Sequence, residues 1–199
     1  MGNNTYKQNF DITKGVREKR NGHKSLLIWY TGLSGSGKST LANAVEQELY
    51  NKGYNSYTLD GDNIRRGINN DLGFNQEDRL ENIRRVAEIS KLMMDAGIIV
   101  NAAFISPLIS DRNIIKDIVG VKNIFEIYVS TSLEECEKRD VKGLYEKARK
   151  GLIKDFTGIT SKYVPPKNPD VVIDTQDKDI SVCVNEILPK IISKIKLDA

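Results

Sequence analysis

The chain has 199 residues, 39% hydrophobic and 29% charged, and its 30 lysines and arginines against 27 aspartates and glutamates leave a formal charge of +3. That is too apolar and too weakly charged for a disordered chain, and long enough to bury one full core without staples. The uncharged run from Ala96 to Leu108 is interrupted by Asn101 and Ser106 and falls short of the roughly 18 to 20 residues of a membrane span, so no membrane partner is expected. Met1 to Phe10 is polar and lacks the apolar stretch of a secretory signal, so a cytoplasmic location is expected. Cys136 and Cys183 form no C-x-x-C; both are expected to be buried structural residues rather than a disulfide or metal pair.

In chain order, residues 1–22 carry few apolar anchors and read as a loosely attached N-terminal arm, with residues 23–199 as one domain. His23, the only histidine, precedes the first strand and reads as structural or exposed rather than as a base. Short β-branched and aromatic runs predict strands at Ser25–Tyr30, Ser56–Leu59, Ile98–Ala103, Ile124–Val129 and Val171–Ile173. Apolar residues at helical spacing predict helices over Lys38–Asn51, Asn75–Asp95 and about Ile180–Lys194, with Gly53 and Gly97 near helix C-termini. Pro189 is expected to kink or split the last helix. Strands alternating with helices imply an α/β fold with a mainly parallel five-stranded sheet, helices on both faces.

Gly32-Leu33-Ser34-Gly35-Ser36-Gly37-Lys38-Ser39 fits G-x-x-x-x-G-K-[ST] in full, after a predicted strand and at the start of a predicted helix that continues with Thr40. Its backbone amides and the helix N-terminus suit phosphate oxygens. Lys38 should reach the β- and γ-phosphates of ATP, and the Ser39 hydroxyl should ligate Mg²⁺. The N-K-x-D of a GTPase is missing, D-x-x-G at Asp117–Gly120 reads as a helix end, and the third predicted strand carries no terminal carboxylate. The acidic function must sit elsewhere. It appears after the second strand as Asp60-Gly61-Asp62, at the sheet edge where ligands bind in such folds. Asp62 is the candidate to orient or deprotonate an acceptor hydroxyl, and Asp60 to help hold hydrated Mg²⁺. A helix cap is the other reading of this pair, and the two roles are compatible.

Several ordered stretches resemble the adenylylsulfate kinase family: Asp60-Gly61-Asp62-Asn63-Ile64-Arg65, Leu72-Gly73-Phe74, Asp78-Arg79 with Asn82-Ile83-Arg84-Arg85, Phe104-Ile105-Ser106-Pro107, Lys142-Gly143-Leu144-Tyr145 with Ala148-Arg149, and Phe156-Thr157-Gly158-Ile159. The resemblance runs from about Gly22 to Thr175. It implies a three-layer P-loop fold with a mobile lid, and transfer of the ATP γ-phosphate to the 3′-hydroxyl of adenosine 5′-phosphosulfate, with Mg²⁺, in the activation of sulfate. It further implies that Phe74 and Phe156 sandwich the substrate adenine, and that Arg65, Arg79 and Asn82 hold its phosphosulfate and ribose. Ile105 and Ser106 would contact the same nucleotide, Lys142 would neutralise charge passing between the substrates, and Arg139 would stack on the ATP adenine near Thr175. A homodimer is implied as well. Arg84 and Arg85 read instead as a solvated helix face.

Basic residues Lys138, Arg139, Lys142, Lys147, Arg149, Lys150, Lys154 and Lys162 outnumber Asp140, Glu146 and Asp155 over the lid, taken as about 138–164. A solvated face is the plain reading of such a run; a lid closing over two nucleotides is the functional one. It lacks the aromatic interleaving of a nucleic-acid surface, so no nucleic-acid partner is expected. Leu108 and Ile109 stand where relatives commonly have an aromatic and an arginine, and Thr160, Lys162 and Val164 depart from the usual Asp, Pro and Glu. The alternatives are a P-loop kinase for another nucleotide or small alcohol, and a non-catalytic nucleotide-binding module.

Overall fold

A computed structural model describes residue 6 and residues 8–198. In order it contains helix α1 (Lys14–Asn21), strand β1 (Leu27–Thr31), α2 (Lys38–Asn51), β2 (Ser56–Asp60), α3 (Gly61–Arg66), α4 (Gln76–Asp95), β3 (Ile99–Ala103), α5 (Ile109–Val119), β4 (Ile124–Val129), α6 (Leu133–Arg139), α7 (Leu144–Arg149), β5 (Val171–Ile173) and α8 (Ile180–Ile195). The five strands lie in the order β2-β3-β1-β4-β5, and each pairing is parallel. This is the expected α/β architecture.

Alternation along the central strand builds the layers, because successive side chains leave a strand on opposite faces. Ile28 and Tyr30 of β1 join Leu41, Val45 and Leu49 of α2 and Ile187 and Ile191 of α8 on one face. Leu27 and Trp29 join Ile83 and Val86 of α4 and Ile115 of α5 on the other. β1 is buried along its whole length, as a parallel strand covered on both faces must be. Register sets the functional edge: Asp60 lies beside Ala103, and Ala103 beside Tyr30. The carboxyl ends of β2, β3 and β1 are therefore level.

Strand ends fall within two residues of expectation, and Gly53 and Gly97 follow α2 and α4 in left-handed conformation. Asp117–Val119 closes α5 before Gly120, as a helix end. Pro189 does not split α8, which runs as one element from Ile180 to Ile195. Proline leaves the carbonyl four residues earlier without a donor, and that residue, Asn185, is on the exposed face, where water can take the place of the lost bond. Within the stretch read as an arm, α1 is tied down by polar contacts. Arg17 pairs with Asp95 at 3.2 Å, Asn21 Nδ2 donates to the Gly97 carbonyl at 3.0 Å, and Glu18 accepts from the Ser25 amide and hydroxyl. Residues 1–5 and 7 lie outside the described residues. His23 is buried, accepting from the Asn55 amide at Nε2 and facing the Lys24 carbonyl through Nδ1, a structural role. Both cysteines are free and buried. No helix among the described residues is long and apolar enough to cross a membrane.

Leu41 is fully buried between α2 and the sheet. Leu41→Ala should cost about 2–5 kcal/mol of stability through lost burial and a residual cavity, read as a lower urea midpoint at unchanged slope.

Candidate active site

The phosphate loop is pinned through its carbonyls. Leu33 C=O accepts from Lys38 Nζ at 2.6 Å, Ser34 C=O from the Tyr145 hydroxyl at 2.8 Å, and Ser36 C=O from Thr175 Oγ1 at 2.9 Å and Thr131 Oγ1 at 3.2 Å. Gly35 C=O faces Arg139 at 3.4 Å. In a trans peptide the following N–H points the opposite way, so the amides of Gly35 and Gly37 are turned away from Tyr145, Thr131 and Thr175. Two glycines are needed for this. A Cβ on Gly32 would sit 2.4 Å from the Val129 carbonyl, and Gly37, at φ 95°, would crowd the Thr175 hydroxyl at 3.2 Å. Lys38 is only 8% exposed. Burial lowers its pKa to about 8, and Lys142 pushes the same way against the opposing pull of Cys136, Asp60 and Asp62. Thr40 is exposed on the first turn of α2.

Asp60 joins this loop to the acceptor edge. One carboxylate oxygen caps α3 by accepting from the Asp62 and Asn63 amides, and the other accepts from Ser39 Oγ at 2.6 Å. The capping of α3 thus uses one oxygen of Asp60 and leaves the other to Ser39. Ser39 and Asp60 bring hard oxygen donors together beside the loop, which suits Mg²⁺, an ion that takes the rest of its shell from phosphates and water. Asp62 sits in the first turn of α3 and is contacted by Lys142 Nζ, reaching over from the lid between α6 and α7.

Arg65 and Arg79 each brace a segment that carries an aromatic ring. Arg65 Nη1 donates to the Leu72 and Gly73 carbonyls, and its guanidinium lies 4.5 Å from the centre of the Phe74 ring, a cation–π contact. Arg79 donates to the Asp155 carbonyl at 2.6 Å and to Thr157 Oγ1 at 3.2 Å, holding Phe156 between them. Burial, then the charge of Arg79, lowers the pKa of Arg65, so the two guanidiniums are electrostatic neighbours. The two expected adenine-clamping rings have different settings. Phe74 is 66% exposed, whereas Phe156 is buried edge-on against Tyr145 at 5.0 Å. Asn82 is buried, and its carboxamide oxygen accepts from Asn69 Nδ2 at 3.0 Å.

Ser106 differs from its expected use. It is 2% exposed, and its hydroxyl accepts from Trp29 Nε1 and bonds Thr31 Oγ1, both at 3.0 Å, so its capacity is taken up inside the fold. Ile105 is half-buried beside it, its carbonyl held by Thr31 at 2.7 Å. Arg139 and Thr175 come together as expected, with guanidinium bonds to Thr175 Oγ1 at 2.9 Å and Thr175 C=O at 3.0 Å. Of the departures, Thr160 accepts from the Phe156 amide at 2.8 Å and so braces that ring's backbone, while Lys162 is exposed. Arg85 is held by Glu81 and Asp71 on the outer face of α4, as a solvated face requires. Sequence reasoning missed Thr31, Thr131, Asn69, Arg112 and the hydroxyl of Tyr145. Each has a partner at least 13 residues away, at separations of 13 to 111, beyond any local spacing pattern.

A phosphate loop and an acidic edge under a basic lid define a P-loop phosphotransferase. The profile of the adenylylsulphate kinase family matches residues 24–174. The adenylyl-sulfate kinase of Prochlorococcus marinus is 58% identical over 175 residues, covering 88% of this chain and 87% of that one. The probable adenylyl-sulfate kinase of Halalkalibacterium halodurans is 56% identical over 184 residues, 92% and 88% of the two chains. Among solved structures, the Mycobacterium tuberculosis APS kinase in complex with AMPPNP and APS superposes with a TM-score of 0.81 at 44% identity, covering 84% of this chain and 98% of that one. This chain belongs to the adenylylsulphate kinase family.

The lowered Lys38 value has a measurable consequence. Below about pH 8 the ammonium is charged whether or not nucleotide is bound; above it the free protein has lost that proton, and an anionic triphosphate draws it back. Binding of an ATP analogue should take up a proton near pH 8.5 but not near pH 6.5. Calorimetry in buffers of different ionisation enthalpy reads this, and Lys38→Met should abolish it.

Proposed function

We propose that this chain transfers the γ-phosphoryl group of ATP to the 3′-hydroxyl of adenosine 5′-phosphosulfate, giving 3′-phosphoadenosine 5′-phosphosulfate and ADP. The observation that carries the reading is the contact of lid Lys142 with Asp62, two residues beyond the Asp60 that accepts from Ser39. It sets an acid, a mobile cation and the phosphate loop around one small volume. ATP lies with its phosphates on the amides of the loop and Lys38, and with its adenine toward Arg139 and Thr175. The acceptor lies with its adenine between Phe74 and Phe156, and with its anionic groups toward Arg65 and Arg79. Asn82 takes the ribose side, where Asn69 already occupies its oxygen. Ile105 serves through its place at the β3 edge, and Ser106 through its backbone.

Asp62 orients the 3′-hydroxyl and takes its proton as the oxygen attacks the γ-phosphorus, while the bond to the β–γ bridging oxygen breaks and ADP leaves. Lys142 then leaves Asp62 for the charge developing between the two substrates. Lid closure excludes water, which would otherwise accept the phosphoryl group. Mg²⁺, held by Ser39 with Asp60 beside it, neutralises phosphate charge when bound. Most of the rate comes from positioning, since this chemistry asks little covalent help of the protein. The reading also carries a domain at 23–199 with a moving lid, against which α1 of the 1–22 stretch is held, a cytoplasmic setting that suits two free buried thiols, and a homodimer of twice 22.4 kDa, to be read by sedimentation.

Asp62→Asn should lower kcat by about 10²–10⁴-fold while ATP-analogue binding persists; unchanged turnover removes Asp62 from this role. In a panel of adenylylsulfate, cytidine nucleotides, gluconate and shikimate with Mg-ATP, adenylylsulfate alone should be consumed. Consumption of another acceptor in its place overturns the substrate assignment.

A further inference from the structure

Arg112 of α5 is 3% exposed and is not among the arginines that recognise substrate in the reading above, yet it makes three polar contacts. Nη1 donates to the Ser106 carbonyl at 2.7 Å, Nη2 to the Val164 carbonyl at 2.7 Å, and Nε lies 3.3 Å from Glu126 Oε1. Glu126, 2% exposed on β4, also accepts from Lys116 Nζ at 2.8 Å. A charged group is buried this deeply only when paired; Glu126 Oε1 has no hydrogen bond and is balanced by the charge of Arg112 alone.

The two carbonyls belong to the two segments that frame the acceptor. Ser106 follows β3 at the ligand edge and is held at φ 37°, a conformation that a residue with a Cβ disfavours. Such strain persists only where the surroundings over-determine it. Here Arg112 fixes the carbonyl, while Trp29 and Thr31 fix the hydroxyl. Val164 is where the chain returns from the lid. Its amide donates to the Pro107 carbonyl at 2.8 Å, and next to it the Tyr163 hydroxyl pairs with Thr31 at 2.9 Å. The β3 exit loop and the C-terminal root of the lid thus form one unit with the guanidinium at its centre. Only backbone groups of Val164 enter the contacts with Arg112 and Pro107, so the departure at this position leaves them intact.

We propose that Arg112 is a positioning residue for the acceptor: through the Ser106 and Val164 carbonyls it holds the acceptor loop and the root of the lid in one register. This rests on the adenylylsulfate reading of the site. The ATP pocket is built separately from Thr131, Thr175 and Arg139. A fault at Arg112 therefore falls on the acceptor and spares the donor. Lysine keeps the charge beside Glu126 but lacks the planar fork that spans two carbonyls.

The test is steady-state kinetics of Arg112→Lys with each substrate varied in turn, together with Arg112→Met/Glu126→Gln, which removes the two buried charges together and leaves the partly exposed Lys116 to solvent. In both variants KM for adenylylsulfate should rise about tenfold or more, the scale of one lost hydrogen bond to a charged group, with KM for ATP unchanged. A merely structural role would lower the melting temperature or the amount of active enzyme and leave both KM values alone. Unchanged KM for adenylylsulfate, or an equal rise in both, overturns the proposal. A wild-type protein that does not phosphorylate adenylylsulfate overturns the reading beneath it, and the proposal with it; an active wild type beside variants with unaltered KM overturns the proposal alone.

Discussion

The bond from Ser39 Oγ to Asp60 Oδ2, 2.6 Å long, spans the gap between the donor and acceptor halves of the site. Its two residues follow β1 and β2, which are not neighbours in the sheet because β3 lies between them. Parallel pairing in level register is what lets them meet. A slip of one residue would invert the side chains of a strand between faces, and the acid would leave the phosphate loop. The buried faces of the sheet set that register, so the chemistry at the edge depends on Ile28, Trp29 and their neighbours more than its own exposed residues suggest.

A second constraint acts through the lid. Its small core of Cys136, Tyr145, Ala148 and Phe156 packs on Leu33 of the phosphate loop, and the Tyr145 hydroxyl holds the Ser34 carbonyl. Arg79 grips the lid's far side around Phe156. The lid therefore touches the ATP loop through one aromatic residue and the acceptor side through the next ring. Lys142 is its charged tip, and its contact with Asp62 is between side chains that are more than half exposed. Such a pair is worth little in water. It can therefore be broken at small cost.

Much of this was legible in the sequence because the signals were local. The phosphate loop is contiguous, the strands are short buried runs, and α2, α4 and α8 carry apolar residues at helical spacing with glycine or polar caps at their ends. Asp60 and Asp62 follow directly from a strand end. The rest depends on contacts between distant segments. α1 has no buried residue and is held by Arg17, Glu18 and Asn21 against groups elsewhere, so hydrophobic periodicity does not reveal its attachment. Ser106 carries the expected motif, but its hydroxyl turns inward because Trp29 and Thr31 lie beneath it. Pro189 obeys its usual rule in sequence, and the solvent beside Asn185 removes the penalty. Phe74 and Phe156 differ sharply in exposure although the resemblance gives them one task.

The account stands on the acceptor's ribose alcohol meeting the terminal phosphoryl group of ATP beside Asp62. The most direct measurement supplies ATP labelled in its γ-phosphate, with Mg²⁺ and adenylylsulfate, and locates the label by phosphorus NMR. The account predicts a new phosphomonoester on the 3′-carbon of the adenylylsulfate ribose. Label recovered only as inorganic phosphate, or on another position of the nucleotide, would contradict it.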